Sequence, residues 1–86
     1  MLIEVTQDDI ERGVVADCFR CPIANAVRDV LGPDAVVRVE CDFMDIGAKT
    51  VKLPIEAMKF IEAFDAEESV EPFSFEVEYE PELASV

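Results

Sequence analysis

Histidine is missing from this chain altogether, glycine occurs only three times, and no lysine or arginine follows Lys59. Without histidine the commonest general base is lost. Gly13, Gly32 and Gly47 stand alone, so they build neither a phosphate-cradling loop nor a nucleophile elbow. Nothing singles out a carboxylate pair or a cysteine as catalytic, and a non-enzymatic protein is expected. No basic patch with interleaved aromatics is present, which excludes direct binding of nucleic acid. No apolar run is long enough for a membrane span. Met1-Leu2-Ile3-Glu4 lacks the basic start and long apolar stretch of a secretory signal. The expectation is a cytoplasmic chain with neither nucleic acid nor membrane as a direct partner.

What the chain has instead is acid. Twenty carboxylates face seven bases, for a net charge of −13. The balance is uneven: Glu62, Asp65, Glu67, Glu68, Glu71, Glu76, Glu78, Glu80 and Glu82 follow Phe60 with no base among them. Such a field repels nucleic acid and anionic membranes and attracts basic protein surfaces. The 86 residues are 51% hydrophobic, enough for one globular unit. A single small α+β domain over residues 1–86 is expected, burying about 60–65% of its unfolded surface.

Leu2-Ile3-Glu4-Val5 reads as a strand with Ile3 and Val5 inward. Thr6 suits a helix N-cap, with Asp9 as its capping-box partner and Gly13 as a left-handed stop after Gln7–Arg12. Pro22 suits the first position of a longer helix, with Cys21 in the cap position. Ile23, Ala26, Val27, Val30 and Leu31 form its apolar stripe, Asn25, Arg28 and Asp29 its wet side, and Gly32-Pro33 its end. Residues 35–43 alternate, with Val37, Val39, Cys41 and Phe43 on the buried face. Asp45-Ile46-Gly47 reads as a turn, and Lys49–Leu53 returns as a strand with Val51 and Leu53 inward. Pro54 opens a second helix with Ile55, Met58, Ile61 and Phe64 inward and Ala57 and Phe60 beside them. Phe73, Phe75, Val77 and Tyr79 form the inner face of a last strand, and the tail from Pro81 is expected to be loose.

This order, βαββαβ, predicts the ferredoxin-like split arrangement: a four-stranded antiparallel sheet with the two main helices on one face. A different strand order built from the same elements is the alternative.

Two features are candidates for function. The first is the cysteine set. Cys18-x-x-Cys21 has metal-ligand and redox spacing, and a thiolate at a helix N-terminus is made more reactive. Cys41, at the end of a strand, is placed by the ferredoxin-like arrangement near the other two. Zinc is the cofactor that such a set would take, with Asp17, Asp42 or Asp45 as fourth ligand. A second C-x-x-C is absent, and the competing reading is that the cysteines pack the core and cap the helix. An odd number of cysteines argues against a secreted disulfide scaffold.

The second is an acidic surface. The same arrangement lines Glu76, Glu78 and Glu80 beside Glu4, with Glu40 and Asp42 on the far strand and Asp65, Glu67, Glu68 and Glu71 in a loop. Charges on an edge strand also prevent sheets from pairing edge to edge, which is the simpler reading. Phe60, Phe64, Phe73, Phe75 and Tyr79 are expected to be core.

The segments Ile3–Gly13, Cys18-x-x-Cys21-Pro22-Ile23-Ala24-x-Ala26, Leu53-Pro54, Phe60–Asp65 and Val70-Glu71-Pro72-Phe73-Ser74-Phe75 resemble a family of small, uncharacterised acidic proteins of phages and some bacteria. The resemblance implies a phage-side origin and brings no catalytic residue with it. Small acidic phage proteins often act by binding and blocking a host protein, and the resemblance implies the same by association. The leading expectation is therefore an acidic inhibitor that engages the basic, nucleic-acid-binding surface of a host enzyme or defence complex by charge mimicry. A small metal- or thiol-dependent module built on Cys18, Cys21 and Cys41 is the alternative.

Overall fold

In the computed structural model the chain runs β1 (Leu2–Val5), α1 (Gln7–Arg12), α2 (Pro22–Leu31), β2 (Val37–Val39), β3 (Phe43–Ile46), β4 (Lys49–Lys52), α3 (Ile55–Asp65) and β5 (Phe73–Glu76). The structure describes residues 1–80; the tail from Pro81 lies outside them. The α+β class holds. The four-stranded ferredoxin-like sheet is replaced by two antiparallel sheets, a β1–β5 pair and a β2–β3–β4 meander.

The first turn of the chain follows its capping chemistry closely. The Thr6 hydroxyl accepts from the Asp9 N–H at 3.2 Å, and Asp9 Oδ2 accepts from the Thr6 N–H at 2.9 Å. This reciprocal box starts α1. Gly13 ends α1, but in an extended conformation at φ −70° rather than a left-handed one. Its missing side chain serves close approach instead: a β-carbon there would stand 2.6 Å from Pro22 Cγ. Pro22 opens α2, with Cys21 Sγ accepting from the Ala24 N–H at 3.5 Å. Gly32, at φ +114°, takes a conformation that L side chains rarely adopt and closes the helix.

Burial of α2 differs from its expected stripe. Every residue from Cys21 to Val27 is buried, whereas Val30 is exposed. The N-terminal half is covered on one side by the sheets and on the other by α1, so Asn25 lies inside and donates to the Asp9 carbonyl at 3.2 Å. In the C-terminal half Asp29 and Val30 are exposed.

The expected strand over residues 35–43 is broken at its tip. Glu40 donates its N–H to the Phe43 carbonyl at 2.8 Å, which makes Cys41-Asp42 a two-residue turn. Val37 and Val39 are buried on β2; after the turn the inward positions change parity to Met44 and Ile46. Cys41 is consequently exposed and Phe43 only half-buried. The second turn is Gly47-Ala48, closing β3 onto β4 at Ile46↔Lys49, with Gly47 at φ +59°. A positive φ at the first of two loop residues suits the right-handed twist of a hairpin.

Helix α3 buries Ala57 and Phe60, and Ile55, expected inward, is exposed. Phe60 stacks on Phe64 and Phe73, with ring centroids 6.2 and 4.7 Å apart, and Phe73 stacks on Phe75 at 5.5 Å. This aromatic run ties α3 to β5. One hydrophobic cluster joins both sheets to α2 and α3. Ile3, Ile23 and Met44 are fully enclosed in it, and each contributes about 1.5–3 kcal/mol by leaving water.

Candidate functional site

The three cysteines have three different environments. Cys21 is buried with its sulfur turned to the α2 backbone. Burial pushes its thiol pKa up, against the Ala24 and Ile23 N–H groups that favour the thiolate. The activated thiol expected at this helix end is thereby reversed. Cys18 is half-buried, and its carbonyl accepts from the Val39 N–H at 2.7 Å, covering the outer edge of β2. Cys41 stands exposed at the β2–β3 turn, its sulfur 3.7 Å from Asp42 Oδ1. Among the described residues, no three cysteine or carboxylate side chains are grouped to hold a metal ion. The expected gathering of Cys18, Cys21 and Cys41 is therefore not formed, because the turn at Cys41-Asp42 carries one sulfur outward while helix capping draws another inward.

The expected acidic sheet face is also divided. On the meander, Arg38 lies across from Asp45 and binds it at 2.6 Å through Nη2; its Nη1 binds Glu40. The hydrogen bond from Arg38, with a second from Thr50, holds the Asp45 carboxyl below its ordinary value. This face is locally neutralised, and Glu40 belongs to it. Asp42 is at the exposed turn. On the other sheet, Glu4 lies across from Ser74 and diagonal to Glu76, whose carboxylate is 3.5 Å from the N-terminal ammonium. The Tyr79 N–H then bonds the Val77 carbonyl at 3.1 Å, a tight turn that takes Glu80 off the line of Glu76 and Glu78. Tyr79 is carried towards β4, where Lys49 sits 5.5 Å from its ring centre.

The acids that follow α3 are arranged differently. Glu68 donates its N–H to the Ala63 carbonyl at 2.9 Å, and Glu67 to the Phe64 carbonyl at 3.0 Å. These two bonds make a Schellman termination. Its left-handed position, usually glycine, is Glu67 at φ +59°. Asp65, Glu67 and Glu68 sit at the negative end of the helix dipole, and the last turn holds no base. Asp65 Oδ1 accepts from the Ala16 N–H at 3.1 Å, so this acid also fastens the loop before α2. Glu67, Glu68 and Glu71 are exposed and carry no ion pair among the described residues.

One polar cluster escaped the sequence pattern. Buried Asp9 receives Arg12 Nη2 at 2.8 Å, and Arg12 also reaches Asp8 and Asp29. Asn25 accepts from Arg28, which also donates to the Phe19 carbonyl at 2.6 Å. Arg12, Asn25, Arg28 and Asp29 line an open pocket of about 350 Å³. Every buried polar side chain among the described residues has a partner, so this cluster is spent on joining α1 to α2. The capping box is the only part visible in sequence; helical spacing alone places Asn25 on the wet face, whereas α1 covers it.

No helix among the described residues is long and apolar enough to cross a membrane. Comparison with protein-family models, with curated proteins and with solved structures finds no match to this chain.

Proposed function

We propose that this chain is a non-enzymatic, cytoplasmic acidic binding protein. Its Glu67, Glu68 and Glu71 loop, with Glu4 and Glu76 on the β1–β5 pair and Glu78 just beyond it, engages a basic surface of a partner such as the nucleic-acid site of a host enzyme or defence complex. The observation that carries the reading is Glu67 at φ +59° on an acidic helix end. Glycine would fit that backbone better, and lysine or arginine would fit the dipole better. Local physics is opposed at two levels in one place, which is where functional demand is expected to show. A partner with basic residues would satisfy both charges and dipole. Glu40 and Asp65 take lesser parts, since Arg38 and the Ala16 N–H already hold them. A phage-side origin accords with this reading. The alternative, a metal- or thiol-dependent module, has less support, because Cys21 is buried and its sulfur caps α2.

Binding of a fluorescent oligolysine probe tests the proposal. Affinity should fall steeply with salt, as for screened ion pairs. Combined Glu67→Gln, Glu68→Gln and Glu71→Gln should weaken it by about tenfold, three charge contacts of a few tenths to 1 kcal/mol each. A triple variant that binds like the parent would refute the loop as the binding surface.

A further inference from the structure

Strands β4 and β5 face each other across a cleft of about 430 Å³ without pairing. The backbone direction of each strand follows from its one partner. Met1 and Val77 exchange both bonds, the Val77 N–H reaching the Met1 carbonyl at 3.0 Å and the N-terminal ammonium reaching the Val77 carbonyl at 2.6 Å. By antiparallel alternation, Phe75 and Phe73 are bonded to β1 in the same way, and the N–H and C=O of Ser74 and Glu76 point to the opposite edge. On β4, the Leu53 N–H bonds the Asp42 carbonyl at 3.0 Å, and the same alternation commits Val51 and Lys49 to β3. The backbone groups of Thr50 and Lys52 therefore point away from β3. Thr50, Lys52 and Glu76 all line the one cleft.

The floor of the cleft is apolar and its lip is charged. Val51, Leu53 and Val77 are buried beneath it, while Lys52, Glu76 and Glu78 are exposed at its rim. We infer that this cleft receives an extended peptide segment of a basic partner, which adds a strand between β5 and β4. Such a strand meets unused donors and acceptors on both sides. Its inward side chains lie over Val51, Leu53 and Val77. Its outward side chains lie between Glu76 and Glu78 on one side and Lys52 on the other, so lysine or arginine meets two acids against one base and forms its favourable cross-strand pairs towards β5. A second copy of this chain offering its own β5 edge would bring Glu76 and Glu78 against acids of the same kind, which is destabilising. The inference rests on the proposed attraction to a basic partner and adds the mode of contact.

Amide hydrogen exchange on the full chain separates the two. The probe is a synthetic peptide of alternating valine and lysine, and its twin is N-methylated at alternate residues with unchanged charge. The parent peptide should slow exchange at Thr50, Lys52, Ser74 and Glu76. The twin should bind about tenfold more weakly, for the loss of one or two net backbone bonds. Equal binding of both peptides with no slowing at these amides overturns strand addition and leaves the acidic-surface reading standing. Failure of both peptides to bind at low salt overturns both. Slowing that rises with protein concentration in the absence of peptide assigns the cleft to a second copy and overturns the inference.

Discussion

Gly13 and the ring of Pro22 are packed so closely that neither position admits a larger neighbour. A β-carbon on Gly13 would lie 2.6 and 2.7 Å from Pro22 Cγ and Cδ, and 3.0 Å from Phe64 Cζ. The end of α1, the start of α2 and the last turns of α3 meet at this point. Pro22 cannot yield, because its ring is fixed and the residue is fully buried.

Gly13→Ala should therefore destabilise the fold through crowding. The backbone angles of Gly13 are open to alanine, so no conformational penalty contributes. A cost of about 1–3 kcal/mol is expected from overpacking. It would be read as a lower urea midpoint at unchanged slope. An unchanged midpoint would mean that α1 can move away from Pro22 without loss.

Glu67→Gly should stabilise the protein while weakening its grip on a basic probe. Ala16 and Glu67 share φ +59°, a left-handed conformation that costs an L residue about 1–2 kcal/mol. Glycine removes that strain and gives back part of the gain as unfolded-state entropy. A net rise of about 1 kcal/mol is expected at Glu67, where a charge at the negative helix end is removed as well. Ala16→Gly provides the comparison, with the same relief and no change of charge. Both variants should melt at higher temperature, and only Glu67→Gly should lose oligolysine affinity. Equal affinity in both would separate the strained acid from function.

Much of the helical architecture is legible in sequence because its signals are local. Thr6 with Asp9, Pro22 behind Cys21, and Gly32 each act within one turn of their own position. The sheet is less legible because its decisive event cancels in the pattern. Alternation passes through Glu40-Cys41-Asp42-Phe43 as if the strand continued, yet the chain reverses there and the inward set moves from Val37 and Val39 to Met44 and Ile46. A two-residue turn without glycine leaves little mark. Met44 and Ile46, an apolar pair at even positions, were the available sign. The same reversal decided the fate of both candidate sites. It exposed Cys41, and it brought Asp45 across from Arg38 to neutralise part of the acidic face.

The thiols should react in the order of their exposure. Cys41 is exposed, Cys18 half-buried, and Cys21 buried with its pKa raised by desolvation. Since the thiolate is the reactive species, Cys21 is slowed twice, by access and by protonation. Titration with a thiol reagent at neutral pH should show a fast phase that Cys41→Ser removes. Cys21 should react only at the rate of unfolding. Fast loss of all three thiols, or recovery of a Cys18–Cys21 disulfide from reduced protein under mild oxidation, would restore the thiol-dependent alternative.

The stability of the α1–α2 junction should depend on pH in opposite senses at its two linked carboxyls. Burial of Asp9 opposes its ionisation, yet the hydrogen bonds from Asp29, from the Thr6 N–H and from the Thr6 hydroxyl, with the Arg12 charge, outweigh it and hold the pKa below 3.8. That lowered value contributes stability above pH 3.8, lost as pH falls through the folded-state pKa. Asp29 is pushed above 3.8, first by its hydrogen bond with Asp9 and then by desolvation. A raised acid costs stability as pH rises through it, because the unfolded chain ionises more readily. Asp29→Asn keeps a donor beside Asp9 and cannot ionise. It should be more stable than the parent at neutral pH, with the difference closing as pH falls through the raised folded-state value towards 3.8. Asp9→Asn should lose about 1–3 kcal/mol at neutral pH, because one uncharged amide oxygen cannot serve both Thr6 and Arg12, with a smaller loss in acid. Urea unfolding across the pH range measures both. A loss of stability in Asp29→Asn at neutral pH that fades in acid would show that Asp29 acts as an ion held by Arg12, 3.4 Å away, and not as the proton-bearing partner of Asp9.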